Sequence, residues 1–248
     1  MRRPRTYKKG DGQNWRKDIT QVVIHRDVDE IEGSAFYENN NLTEIDWGNS
    51  KVTTIGGNAF YKTGLKKFSC PDTVNVVGRA AVAQRKYLRE VECNAKKLAK
   101  NAFASNKSLE TVILQEGVKT IEQETFARSP KISTFIWADS VEGVGENIFK
   151  DSTKLHELAE SGDQEKIIEY LKKCVSPLMK LCVNDGKLED IKKILEENPE
   201  AAKVSGQQRN ALSYYCRYGS SLEVIKVLVE AHPEGAKNED AIKARRIQ

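Results

Sequence analysis

Three histidines and five cysteines are the side chains of this sequence best suited to metal ligation or nucleophilic chemistry. His25, His156 and His232 stand far apart, and none has a cysteine or carboxylate at the spacing that closes a tetrahedral metal site. Cys70, Cys93, Cys174, Cys182 and Cys216 are scattered, odd in number and free of any C-x-x-C pair. That usage fits reduced thiols inside a cell better than a disulfide framework or a zinc site. No P-loop, nucleophile elbow or dinucleotide fingerprint occurs. The expectation is a protein without enzymatic activity, cofactor or metal.

What these residues are mounted on is a repeat. An L-x-x-[IVF] opening recurs at Ile19, Leu42, Leu65, Leu88, Leu109 and Ile132. A second pattern, V-x-x-I-x-x-x-A-F, follows each one, as in Val28, Ile31, Ala35 and Phe36, then Val52, Ile55, Ala59 and Phe60. Copies this short cannot bury an apolar side alone, so they must stack and share one core. The opening alternates like a strand, which makes stacked copies a parallel ladder with a rise of about 4.8 Å per coil. Phe60 is then a core residue, and Trp47 and Trp137 are core fillers. Cys70 and Cys93 share one register in neighbouring coils. Their Cα atoms would lie about 4.8 Å apart, within disulfide reach, although two small core residues is the plainer reading.

"LTEIDWGNSKVTTIGGNAF" (residues 42–60) and "LETVILQEGVKTIEQETF" (109–126) resemble the BspA-type leucine-rich repeat over residues 19–153. Members of that family include bacterial surface adhesins, and the resemblance implies a solenoid more than any one function. After Asp151 the period becomes helical: residues 155–171, 176–195 and 210–234 each read as helix, glycine break, helix, around Gly162, Gly186 and Gly219. These segments resemble ankyrin repeats. The fold class is thus an α+β repeat protein, a β-solenoid of about six coils followed by an ankyrin-like helical array. Its parts are a basic arm or cap (1–18), the leucine-rich repeats (19–153), the helical repeats (154–235) and a basic tail (236–248). Because Ile132, Phe135, Val144 and Phe149 would be bare on the last coil, the first helical segment should dock there.

Charge divides unevenly along the 248 residues, whose net is +4. Residues 1–18 carry seven basic side chains against two acidic ones, and residues 236–248 carry four against two. The body is left slightly acidic, unlike a protein that binds nucleic acid through its overall field. No apolar run is long enough to span a membrane. The basic N-terminus lacks the apolar middle of a signal peptide, so an intracellular, cytoplasmic site is expected.

Function in a solenoid sits on the outward strand positions. The third and fifth residues of each opening motif give a strip containing Glu44, Asp46, Glu90, Glu92, Ile113 and Ile136, the last two expected to face solvent. A rival surface lies in the helical half around Tyr214, Arg217 and Tyr218. Within the arm, Tyr7 and Trp15 would cover the first coil, or Arg2, Arg3, Arg5, Lys8 and Lys9 would grip phosphate or an acidic partner. The reading that follows is a non-catalytic protein–protein interaction scaffold in a larger intracellular assembly, its partners other proteins. The alternative is a nucleic-acid or anionic-surface binder acting through the basic termini.

Overall fold

Alternation of apolar and polar residues in each opening motif builds a short strand with one face turned inward. The computed structural model describes residues 4–11, 18–158, 163–174, 178, 181–182, 186–198, 215 and 221–231. One strand of each coil comes from the opening motif: β2 (Gln21–Ile24), β4 (Glu44–Asp46), β6 (Lys67–Ser69), β8 (Glu90–Cys93), β10 (Thr111–Leu114) and β12 (Thr134–Ile136). The second pattern supplies β3 (Glu30–Ile31), β5 (Thr54–Ile55), β7 (Val76–Val77), β9 (Lys97–Leu98), β11 (Thr120–Ile121) and β13 (Gly143–Val144). All pairings are parallel, and β3 to β13 form one unbroken six-stranded sheet.

The third side of each coil is built without strands. Two residues four apart adopt left-handed backbone in every copy, Ser34 and Glu38 in the first, Asn58 and Lys62 in the second, and so on to Asn147 and Asp151. Such residues cost about 1–2 kcal/mol each outside glycine. The cost is offset because alternate N–H groups then point along the stack. Ser34, Phe36 and Glu38 donate to the carbonyls of Gly57, Ala59 and Tyr61 in the next coil, at 2.8 Å each. The intervening N–H groups of Ala35, Tyr37 and Asn39 close turns within their own coil. At Gly56, where this side begins, an added Cβ would lie 2.5 Å from the Gly33 nitrogen, so close coil-to-coil approach excludes a side chain there.

Inside run columns of equivalent residues. Phe36 and Phe60 stack at 5.1 Å between ring centroids, and Phe103 and Phe126 at 5.5 Å. Coil three has Val82 where its neighbours have Phe. Phe68 from its strand fills the space, edge-on to Phe60 at 6.1 Å and to Phe103 at 5.8 Å. The volume lost at one position of the coil is thus returned at another, as a close-packed core requires. All these rings are buried.

The N-terminal arm is part of the stack. β1 (Arg5–Tyr7) pairs in parallel with β2, extending the sheet by one strand. Tyr7 is buried against Phe36 at 5.2 Å, and burial pushes its phenol pKa up to about 12. The arm therefore covers the first coil through Tyr7; Trp15 lies outside the described residues.

The chain divides into two compact units, Met1–Glu169 and Tyr170–Gln248. Within the first, α1 (Thr153–Leu158) follows the last coil directly, and α2 (Gln164–Cys174) begins on it. Gln164 accepts from the Ile148 N–H at 2.7 Å and donates to the Gly145 carbonyl at 3.0 Å. In an earlier coil the corresponding groups, Ala59 N–H and Gly56 C=O, bond to each other. The glutamine side chain is inserted into that turn. Ile132, Phe135 and Phe149 are buried and only Val144 of the four is exposed, at 39%. In the second unit, α3 (Leu188–Glu197) and α4 (Leu222–Ala231) pack together. Ile191 and Leu195 are buried on α3, and Val224, Ile225 and Leu228 on α4. Gly186 precedes α3; Gly162 and Gly219 lie outside the described residues. Four helices of six to eleven residues among the described residues do not by themselves make an ankyrin array.

Phe60→Ala should destabilise the first unit by about 3–5 kcal/mol, read as a shift of the urea midpoint. Gln164→Ala, which removes both of its hydrogen bonds to the last coil, should cost about 1–3 kcal/mol in the same assay.

Candidate partner-binding surface

The outward residues of the strands do not form one row. β2 and β4 pair with each other, and β6, β8, β10 and β12 form a separate sheet, so the ladder is interrupted between β4 and β6. The repeat length is not the reason, because the same 23-residue offset joins Gln21 to Glu44 and Lys67 to Glu90 in register. Trp47 occupies the place that Cys70 holds in the next coil. Its indole N–H donates to the Ser69 carbonyl at 2.8 Å, and its ring meets Phe60 and Phe68 edge-on at 6.1 and 6.5 Å. A side-chain donor stands in for a missing backbone bond.

The expected strip is therefore two surfaces. On β4, Glu44 and Asp46 are exposed; Asp46 accepts the Gly48 N–H at 2.9 Å, and neither carboxylate meets a lysine or arginine among the described residues. On β8, Glu90 and Glu92 are 12% exposed in their side chains and share Lys67, at 3.3 and 3.0 Å. Gln115 adds a bond to Glu92 at 3.3 Å. Two of the four acids are thus neutralised within the fold and two are not.

Ile113 and Ile136 correct the expectation drawn from alternation. They are registered partners on β10 and β12, and they are 0% and 2% exposed. Strand periodicity gives which side of the sheet a residue faces, not whether that side is wet. Two adjacent β-branched side chains lose a favourable transfer free energy if left in water, and here they are withdrawn from it. An aspartate at either position would test the fold rather than an interface.

Of the basic arm, Arg5 and Lys8 are exposed and Lys9 pairs with Asp29 at 2.9 Å. Arg2, Arg3, Tyr214, Arg217 and Tyr218 lie outside the described residues. His25 is partly exposed, with Asp27 at 3.3 Å. Among the described residues no group of three or more His, Cys, Asp or Glu side chains could hold a metal ion, and no helix is long and apolar enough to cross a membrane.

One buried polar column escaped the sequence reading. Asn39, Thr63, Arg85, Asn106, Ser129 and Ser152, each three residues after the Phe or Val of its coil, are all at most 3% exposed. Asn106 accepts from the Arg85 N–H at 2.9 Å and donates to the carbonyls of Val82 and Phe103 at 2.9 and 2.8 Å. Arg85 donates to the Phe60 carbonyl at 2.5 Å, and burial without a carboxylate pulls its pKa down to about 9. A polar residue at one fixed place in every copy was the available signal. Arg85, Asn106, Ser129 and Ser152 bond to backbone groups of the turns, and none of the six residues reaches a surface.

A family model described as the BspA type leucine rich repeat region, in six copies, matches residues 14–89 and 90–185. The chain belongs to this family. The match agrees with the repeating strand pairs and their near-constant register. Among solved structures, a leucine-rich repeat protein from Bacteroides ovatus is 17% identical, with a TM-score of 0.40, over 56% of this chain and 48% of that one. The pneumococcal vaccine antigen PcpA is 13% identical, with a TM-score of 0.27, over 54% of this chain and 60% of that one. The chain thus spans about half to three-fifths of the length of these two proteins. No curated protein matches the sequence.

Within this BspA-type solenoid, Lys67→Met would strand two poorly exposed carboxylates side by side. It should cost about 1–3 kcal/mol in urea unfolding at neutral pH, less than a fully buried pair because Lys67 is partly solvated. Adding Glu90→Gln and Glu92→Gln should recover most of that loss.

Proposed function

We propose that the protein is a non-catalytic protein–protein interaction scaffold, and that its partner presents a basic segment to the outward face of β4. BspA-type leucine-rich-repeat proteins are commonly surface or interaction proteins, which supports the general reading. The observation that carries the particular one is the contrast between the two acidic pairs. Glu90 and Glu92 are spent on Lys67, whereas Glu44 and Asp46 stand exposed without a cation among the described residues. Exposed, uncompensated charges on a rigid strand steer an oppositely charged partner and fix its register.

The helical unit is read as an ankyrin-like array in the same assembly. Its support is the amphipathic α3 behind Gly186, packed on α4. An intracellular assembly remains the setting we propose.

Affinity purification from the native cell with the wild type and with Glu44→Lys/Asp46→Lys tests the proposal. The charge-reversed protein should lose the partner, with association slowed at least about tenfold in the purified pair. Glu90→Lys/Glu92→Lys, which disturbs a satisfied cluster, should change stability more than binding. A partner retained by Glu44→Lys/Asp46→Lys, or recovered nucleic acid whose binding collapses between about 50 and 200 mM salt, would overturn it in favour of the basic termini.

A further inference from the structure

Of the six residues that share the register just after the strand core (Ile24, Trp47, Cys70, Cys93, Leu114 and Trp137), two consecutive ones are thiols. Parallel pairing of β6 with β8 continues one step beyond Ser69, where the Cys70 N–H bonds to the Glu92 carbonyl at 3.4 Å. This places Cys70 opposite Cys93, with their Sγ atoms 3.1 Å apart and unbonded. Cys93 is buried, while Cys70 keeps part of its surface in solvent. Asn94 lies 3.6 Å from the Cys70 sulfur through Oδ1 and is itself held by Asp72 at 2.7 Å.

We propose that Cys70 and Cys93 form an oxidisable dithiol site, with Cys70 as the attacking thiol and Cys93 as the resolving one, that reacts with low-molecular-weight disulfides to tie coils three and four together. The division of labour follows from position. Cys70 is the less buried residue of the two, which makes it the first to meet a soluble disulfide, and the buried Cys93 sulfur stands directly beside it. The hydrogen bond between the two sulfurs holds the Cys70 thiol below its ordinary pKa, while burial holds Cys93 above its own.

The chemistry is two exchanges. The Cys70 thiolate attacks one sulfur of RSSR, the S–S bond breaks, and RS⁻ leaves and takes up a proton, leaving Cys70–S–S–R. Cys93 then gives its proton to solvent and attacks the Cys70 sulfur, expelling the second RS⁻, which is protonated in turn. Two protein thiols are oxidised and one disulfide is reduced to two thiols. The small displacement needed to bring sulfurs from contact to bonding distance lies within reach of two side chains on adjacent strands.

The test uses the full chain and oxidised glutathione, with intact mass and peptide mapping under non-reducing conditions. It is independent of any partner, so its outcome does not depend on the scaffold reading. Wild type should lose two hydrogens, acquire a Cys70–Cys93 link and keep no glutathione at these positions. Cys93→Ser should stop at one glutathione on Cys70. Cys70→Ser should slow modification of Cys93 at least about tenfold, since a buried thiol is poorly reached. A wild type whose pair stays reduced in excess oxidised glutathione, a link between other cysteines, or a Cys93→Ser protein without an adduct at Cys70 would each overturn the proposal.

Discussion

A coil of some 23 residues can satisfy few of its own backbone groups, and this shortage governs the molecule. Each strand and each left-handed turn aims donors along the stack axis, where only another coil can meet them. A buried peptide group without a partner costs about 1–3 kcal/mol, so an isolated coil has no stable state and a stack has one. The first coil inherits the same requirement, and the arm supplies a strand to meet it. At the other end the Gln164 amide is inserted between two backbone groups that in an earlier coil bond to each other.

Once backbone bonds set the register, side chains have no freedom in depth along the axis, and like falls upon like. Columns of Phe, of small Ala and of buried polar residues are consequences of the ladder rather than causes of it. The coil-three exchange of Val82 against Phe68 shows how much latitude remains: volume may move around a coil but not out of it. Arg85 is the exception. It buries a cation in the polar column with a carbonyl, not a carboxylate, as its acceptor. Through that carbonyl Arg85 bridges coils two and three.

The strand positions, the shared core and the Ala-Phe turn were legible because a repeat states its pattern six times. The left-handed pairs were not, since Ser34, Asn58, Ala80, Asn101, Glu124 and Asn147 share no side-chain chemistry; what they share is a place in the hydrogen-bond ladder. The exposure of outward residues was half legible. Alternation placed Glu44 and Ile113 on the same side of their strands, but whether that side is solvated is a tertiary property that no local period contains. The arm was readable as a cap through its aromatic Tyr7, whereas its pairing as a parallel strand has no signature in three residues.

The division of the outward surface traces to one side chain. At the second coil the register position after the strand is held by Trp47, and at the third by the much smaller Cys70. An indole cannot stack on a thiol as a phenyl ring stacks on its like, so it turns, fills the space beside Phe60 and Phe68, and bonds to Ser69. The other two ladders run through this joint unbroken: β5 pairs with β7, and Asn58, Phe60 and Lys62 still donate to coil three. The joint is therefore relaxed on the outer strand side alone. There, Glu44 and Asp46 are parted from the ladder that would otherwise have set them beside Lys67. Had β4 paired with β6, that lysine would have stood next to all four carboxylates, and the acidic patch would have been spent inside the fold.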